Sequence, residues 1–224
     1  MSNILIIGAS RGLGLEFARQ YVQAGDRVLA TARDAAGRER LQALGVEKVL
    51  TVDVADPASV SSLAWQLDGE KVDIAWHVAG LMCSRADATQ PPTQTDFDRV
   101  MHANVLGAMQ VIPQVAPLVE AAGGRFAFIS SVMGQIGGAA VSNAWLYRVS
   151  KAALNMAVAS ARGVYPGAIM VCLHPGWVQT DMGGGAAPVT VSDSASGLRR
   201  VVAGLSAADS GAYLQYDGQR FSSW

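Results

Sequence analysis

Seven short apolar runs, most of them followed by a stretch with helical spacing, limit what this chain can fold into. The first, Asn3 to Gly8, is nearly unbroken, as a strand buried on both faces of a parallel sheet must be. Further runs cover Arg27 to Ala32, Lys48 to Val52, Val72 to Val78, Arg125 to Ser130, Ala168 to Leu173 and Ala212 to Gln215. Helices are predicted from Gly12 to about Ala24, Gly37 to Leu44, Thr95 to Ala121, Trp145 to Gly163 and Ser192 to Leu205. Another opens at Asp56-Pro57, with the acid as cap and the proline at the first helical position. Pro113 and Pro117 predict a bend in the long helix. This alternation predicts an α/β chain with a doubly wound parallel sheet, and residues 1–224 read as one domain. In such sheets ligands bind beyond the carboxyl ends of the strands.

Composition excludes several classes. Seventeen Lys plus Arg against eighteen Asp plus Glu leave a net charge of −1. That balance gives no reason to expect a nucleic acid or an anionic membrane surface as partner. No eighteen-residue apolar window exists, and the opening residues lack the pattern of a secretory signal, so a cytoplasmic location is expected. Cys83 and Cys172 read as reduced, buried thiols. His77, His102 and His174 are scattered, so no metal site is expected.

After the first run comes Gly8-Ala9-Ser10-Arg11-Gly12-Leu13-Gly14. Glycines at such a place let the backbone turn tightly and approach a pyrophosphate on a helix N-terminus. The spacing is G-x-x-x-G-x-G, and no Gly-Lys-Ser/Thr follows, so this is not a nucleotide-triphosphate loop. An acid ending the second strand would bind ribose hydroxyls. Its usual place falls on Ala32, with Arg33 next. Arg33 and Arg11 together suit a 2′-phosphate, which accepts charge-assisted hydrogen bonds. NADP(H) is therefore favoured, while Asp34 leaves NAD(H) open. Asp53, followed by Val54, is read either as an acceptor for an adenine amino group or as a turn acid.

Tyr147-Arg148-Val149-Ser150-Lys151 places a phenol and an amine on one helix face. An ammonium nearby is expected to lower the phenol pKa by roughly 1–3 units, making it an acid or base near neutral pH. With the glycine turn, Asn104, Ser131 and Pro175-Gly176, this pair makes the whole chain resemble the short-chain dehydrogenase/reductase family. Within it the chain is most similar to the small carbonyl reductases of the C-factor and sniffer type. That similarity rests on Tyr147 to Met156, on His174-Pro175-Gly176-Trp177-Val178-Gln179-Thr180-Asp181-Met182, and on Tyr216-Asp217-Gly218 with Trp224.

The resemblance implies a single-domain Rossmann fold with seven parallel strands in the order 3-2-1-4-5-6-7. It implies hydride transfer between NADP(H) and a small carbonyl compound or secondary alcohol. Tyr147 would be the general acid/base, and Lys151 would lower its pKa and hold the nicotinamide ribose. Ser131 would bind the substrate oxygen, and Asn104 would hold a water that relays protons to Lys151. Gly8, Ser10, Arg11, Gly12, Leu13, Gly14, Arg33, Asp53, Val54, Ala79 and Gly80 would line the cofactor site. Pro175, Gly176, Val178 and Thr180 would complete it at the nicotinamide end. A substrate loop is expected over about 176–194, and Met133 and Trp177 would touch substrate, with Leu81 and Trp145 as further apolar lining. A homodimer or homotetramer is implied. The alternative is a regulatory or signalling relative that binds cofactor with little turnover. One departure stands out: His77-Val78-Ala79-Gly80 replaces the family's Asn-Asn-Ala-Gly. A structural role, with its polar atoms satisfied, is expected of His77.

Overall fold

Residues 1–224 are described by a computed structural model. Strand β1 (Asn3–Ile7) has four of its five side chains buried, because both sheet faces are covered. It leads through the glycine turn into α1 (Gly12–Gln23), then β2 (Arg27–Ala32), α2 (Ala35–Ala43), β3 (Lys48–Thr51), α3 (Pro57–Ser61), α4 (Leu63–Gln66) and β4 (Ile74–His77). The second half contains α5 (Gln94–Met101), α6 (Gly107–Ala121), β5 (Arg125–Ile129), α7 (Trp145–Ala161), β6 (Ile169–His174), α8 (Val191–Ala203) and β7 (Tyr213–Gln215). The strands form one sheet in the order β3-β2-β1-β4-β5-β6-β7, with every pairing parallel. The order reverses between β1 and β4, so a crevice opens where the connections diverge.

Strand side chains alternate between two cores. Leu5, Ile7, Phe126, Phe128 and Met170 pack with Val111 and Val115 of α6 and Leu154 and Val158 of α7. Ile4, Ile6, Trp76 and Val171 pack with Phe17 of α1 and Leu198 and Val202 of α8. Trp76 stacks on Phe17 with centroids 4.1 Å apart, and its indole N–H donates to the Tyr21 hydroxyl at 3.1 Å.

The long helix expected from Thr95 to Ala121 is interrupted. A π-helical turn, His102–Leu106, separates α5 from α6 and carries Asn104. Such a turn holds one extra residue per bond, which reorients the side chains on it. Pro113 and Pro117 do not break α6. Of the two thiols expected to be buried, Cys172 on β6 is, whereas Cys83, in the segment after β4, is exposed. The short helix α2 begins earlier than expected, at Ala35, because Asp34 caps it: its carboxylate accepts from the Gly37 N–H at 2.7 Å.

Phe17 is fully buried and stacked, so Phe17→Ala removes both area and a ring partner. We expect a loss of about 3–5 kcal/mol in unfolding free energy, measured by urea titration, with the fold retained.

Candidate active site

The glycine turn forms the near wall of a cleft of about 1170 Å³ at the carboxyl ends of the strands. Gly8 has φ +89°, and a Cβ there would stand 2.7 Å from the backbone nitrogen of Ala79. The two crossing segments touch only because Gly8 has no side chain. Gly14 does not line the cleft; a Cβ on it would strike the Gly8 carbonyl, so it serves the packing of α1 on β1. Arg11 takes the cap position of α1 in extended backbone and gives no side-chain cap bond. The first N–H groups of this twelve-residue helix therefore open onto the cleft beside Ser10, Gly12 and Leu13. That arrangement fits a pyrophosphate.

Arg33 lines the cleft where β2 ends. Asp34 caps α2 through Oδ1 and does not line the cleft. Beside Arg33, a smaller cavity of about 380 Å³ is bordered by Arg99 and His102, which sequence reasoning did not single out. Their place on α5 and the π turn carries no local motif; only the fold brings them to Arg33. Asp53 and Val54 border the cleft too. Asp53 accepts from the Ala55 N–H at 3.0 Å, which is the turn-acid role.

Tyr147, Lys151 and Ser131 converge on the other wall. Tyr147 and Lys151 lie one turn apart on α7 and are both buried. The Lys151 ammonium donates to the Ile129 carbonyl at 2.8 Å and sits 5.5 Å from the Tyr147 ring centroid. Burial lowers the Lys151 pKa to about 8, and burial raises the Tyr147 phenol to about 12, with the Ser131 hydroxyl drawing it partway back. The expected lowering of the phenol by the amine is thus reversed. The amine is spent on a backbone carbonyl, and desolvation outweighs its field. At neutral pH the phenol holds its proton.

Asn104 is fully buried and lies behind the cleft wall rather than on it. Its amide grips the backbone of Leu81, accepting from the N–H at 2.7 Å and donating to the carbonyl at 2.8 Å. It also donates to Ser150 Oγ at 2.9 Å, and that hydroxyl donates to the Tyr147 carbonyl at 2.8 Å. Ala79 and Gly80 floor the cleft; a Cβ on Gly80 would lie 3.2 Å from Asn104 Oδ1 and 3.4 Å from Lys151 Nζ.

Pro175, Gly176, Trp177, Val178 and Thr180 follow β6 along the rim. Gly176 has φ +86°. Two bonds cross the mouth: Arg11 pairs with Asp181 at 3.1 Å, and Arg85 donates to the Met182 carbonyl at 3.0 Å. Arg11, expected at a 2′-phosphate, is therefore shared with the rim loop. Met133, Trp177 and Leu81 line the cleft, while Trp145 does not. Two residues before Tyr147 on a helix is about 200° around its axis, which turns Trp145 away.

His77 is fully buried, stacks against Phe128 at 5.7 Å, and neither ring nitrogen has a hydrogen-bond partner. Burial and the nearby Lys151 charge push its pKa down to about 3, so the ring is neutral. The satisfied role expected for it is not what the structure shows.

A family model described as short chain dehydrogenase matches residues 2–188. The C-signal of Myxococcus xanthus is 41% identical over 144 residues, 63% of this chain and 84% of that protein. A short-chain dehydrogenase/reductase from Burkholderia multivorans with bound NADP superposes with TM-score 0.89 at 32% identity, covering 100% of this chain and 99% of that one. The carbonyl reductase Sniffer of D. melanogaster gives TM-score 0.90 at 26% identity, covering all of both chains.

The buried amine makes a thermodynamic prediction. Unfolded Lys151 keeps its proton up to its ordinary value, 10.5, while the folded residue releases it near pH 8. Between these values the unfolded state binds more protons, so stability rises with pH. From pH 8 to 10, the wild type should gain on Lys151→Met by at most about 1.4 kcal/mol per pH unit, read by chemical denaturation at each pH.

Proposed function

Because this chain belongs to the short-chain dehydrogenase/reductase family, we propose that it is an NADP(H)-dependent reductase of carbonyl compounds, with Tyr147 as the proton donor. One observation carries the reading: a protonated phenol, a buried amine and a serine hydroxyl meet in the cleft whose opposite wall is an uncapped helix N-terminus. NADPH would supply the hydride. The helix N-terminus and the backbone from Ser10 to Leu13 would bind its pyrophosphate, and Arg33 its 2′-phosphate. Arg33 lining the cleft where Asp34 does not supports NADP(H) over NAD(H). So does the NADP bound in the Burkholderia multivorans relative.

In reduction, the Ser131 and Tyr147 hydroxyls would donate to the substrate oxygen and stabilise charge developing there. Tyr147 would then pass its proton to that oxygen. Burial raises the Tyr147 pKa, so this donor carries its proton at neutral pH. Lys151 would hold the cofactor ribose, and Asn104 would anchor the Leu81 segment while supporting the water relay to Lys151. Met133 and Trp177, with the loop over about 176–194, would receive an apolar carbonyl compound. The same reading gives a homodimer or homotetramer through α6 and α7, where Met109, Val149 and Met156 are exposed, and a cytoplasmic location. The signalling alternative is favoured by the match to C-signal. NADPH affinity without turnover on any carbonyl would establish it.

Purified protein should oxidise NADPH with a panel of apolar aldehydes and ketones. Tyr147→Phe should lower turnover by about 10²–10⁴-fold with NADPH affinity intact; undiminished turnover would discard the mechanism. Arg33→Ala should weaken NADPH about tenfold or more while sparing NADH, and equal effects on both would remove the 2′-phosphate assignment.

A further inference from the structure

A second tyrosine stands behind the candidate serine. Tyr213, on β7, is buried, and its hydroxyl donates to the main-chain carbonyl of Ser131. The same carbonyl accepts the Gly134 N–H at 2.8 Å, while the Ser131 side chain accepts the Met133 N–H at 3.2 Å. Both acceptor sites of Ser131 are thus tied into one tight turn, Val132–Gly134. Neighbouring Ser130 donates to Asn155 Oδ1 at 2.5 Å, and both side chains lie against the Tyr213 hydroxyl.

The Tyr213 ring is itself held by the chain's last residues. Phe221 stacks on it at 4.2 Å, and Trp224 at 5.6 Å with the ring planes 12° apart. The Trp224 carbonyl accepts the N–H groups of Ile136 and Gly137 at 2.9 and 3.1 Å. Gln135 Nε2 donates to Ser223 Oγ at 3.1 Å. A Cβ on Gly137 would stand 2.6 Å from Ser223 Oγ, so the strap lies directly on the loop. The segment therefore grips the loop that carries Met133 at one point and, through Tyr213, the serine at another.

We propose that Tyr213, clamped between Phe221 and Trp224, is a positioning residue that sets the Ser131 hydroxyl, and that the 221–224 strap fixes the substrate-side loop over 132–137. A hydroxyl aligned to within a few tenths of an ångström needs its own backbone fixed, and one buried hydrogen bond to its carbonyl does that. The proposal rests on Ser131 being the substrate-binding hydroxyl of the proposed function.

The test uses Tyr213→Phe, which keeps the ring and its stacking, in the full chain with NADPH bound. Two readouts are taken. Amide hydrogen exchange over 132–137 needs no turnover: exchange at Met133 and Gly134 should rise about tenfold in Tyr213→Phe, and at Ile136 and Gly137 in Trp224→Ala. Unchanged exchange in both variants overturns the proposal, whatever the enzyme reduces. Kinetically, Tyr213→Phe should cost about tenfold in kcat/KM for the carbonyl, with KM for NADPH unchanged. In a Ser131→Ala background it should cost almost nothing more, since it acts through that residue. Losses that multiply across the two variants overturn positioning through Ser131, and a lowered Tm with full activity per folded molecule assigns Tyr213 to stability alone. A wild type without turnover would defeat the proposed function while leaving the exchange result to decide the positioning. Should Tyr213→Phe fail to fold, Trp224→Ala, at an exposed site, decides by the same exchange and kinetic readouts.

Discussion

The bond from the Lys151 ammonium to the Ile129 carbonyl organises the chemical end of the sheet. Ile129 closes β5, and the chain leaves the sheet immediately afterwards, at Ser130 and Ser131. A strand end needs a donor for its last carbonyl, and a buried amine needs an acceptor; each supplies the other. The bond fixes the rotation of α7 about its axis. Tyr147, one turn earlier, then faces the turn that bears Ser131. That turn packs so closely on α7 that a Cβ on Gly134 would lie 2.9 Å from the Lys151 Cβ. The same bond explains the electrostatics. An amine committed to a carbonyl, in a site where burial penalises charge, lends little to the phenol, and both groups move toward their neutral forms.

Buried polar groups around this bond are treated unequally. Asn104 meets three partners, and through Ser150 its hydrogen bonds continue to the Tyr147 carbonyl. The π turn makes this arrangement available by swinging one residue off the regular helical ladder. His77 meets none. It occupies a sheet face beside Phe128, close enough to Lys151 to feel its charge, and survives there only as a neutral ring. Two unpaired nitrogens in a core cost stability, so the fold carries a debt at a place where the family has asparagine.

The alternation of strand and helix was legible because parallel strands covered on both faces read as nearly continuous apolar runs, as Ile4 to Ile7 of β1 and Ile169 to Leu173 of β6 do. The glycine turn and the Tyr147–Lys151 pair were legible for the same local reason: each is complete within seven residues. What failed needed three dimensions. Helix spacing told that Tyr147 and Lys151 share a face, but not where the amine points, so the sign of the phenol shift came out wrong. Asp34 read as a rival ribose ligand because its capping of α2 depends on where that helix begins. The π turn at Asn104 only shifts the phase of the helical pattern by one residue, about 100°, too little to show in a run read as one helix. Arg11 and Asp181 are 170 residues apart, and Tyr213 and Ser131 are 82 apart; no local motif records either meeting.

These separations divide the cleft into two mechanical parts. The floor and the α7 wall are held by buried bonds from Lys151, Asn104 and Tyr213, whose loss would leave unsatisfied polar groups in the core. The rim loop is held across the mouth by exposed contacts: Arg11 to Asp181 and Arg85 to the Met182 carbonyl. A surface ion pair contributes about 0–1 kcal/mol, whereas a phosphate dianion offers a guanidinium stronger, bidentate bonds. In the proposed function, an arriving 2′-phosphate therefore competes with Asp181 for Arg11 at little cost, and the rim can move without disturbing Ser131 or Tyr147. Rigidity sits where a proton must be delivered to one atom, and compliance where a ligand must enter.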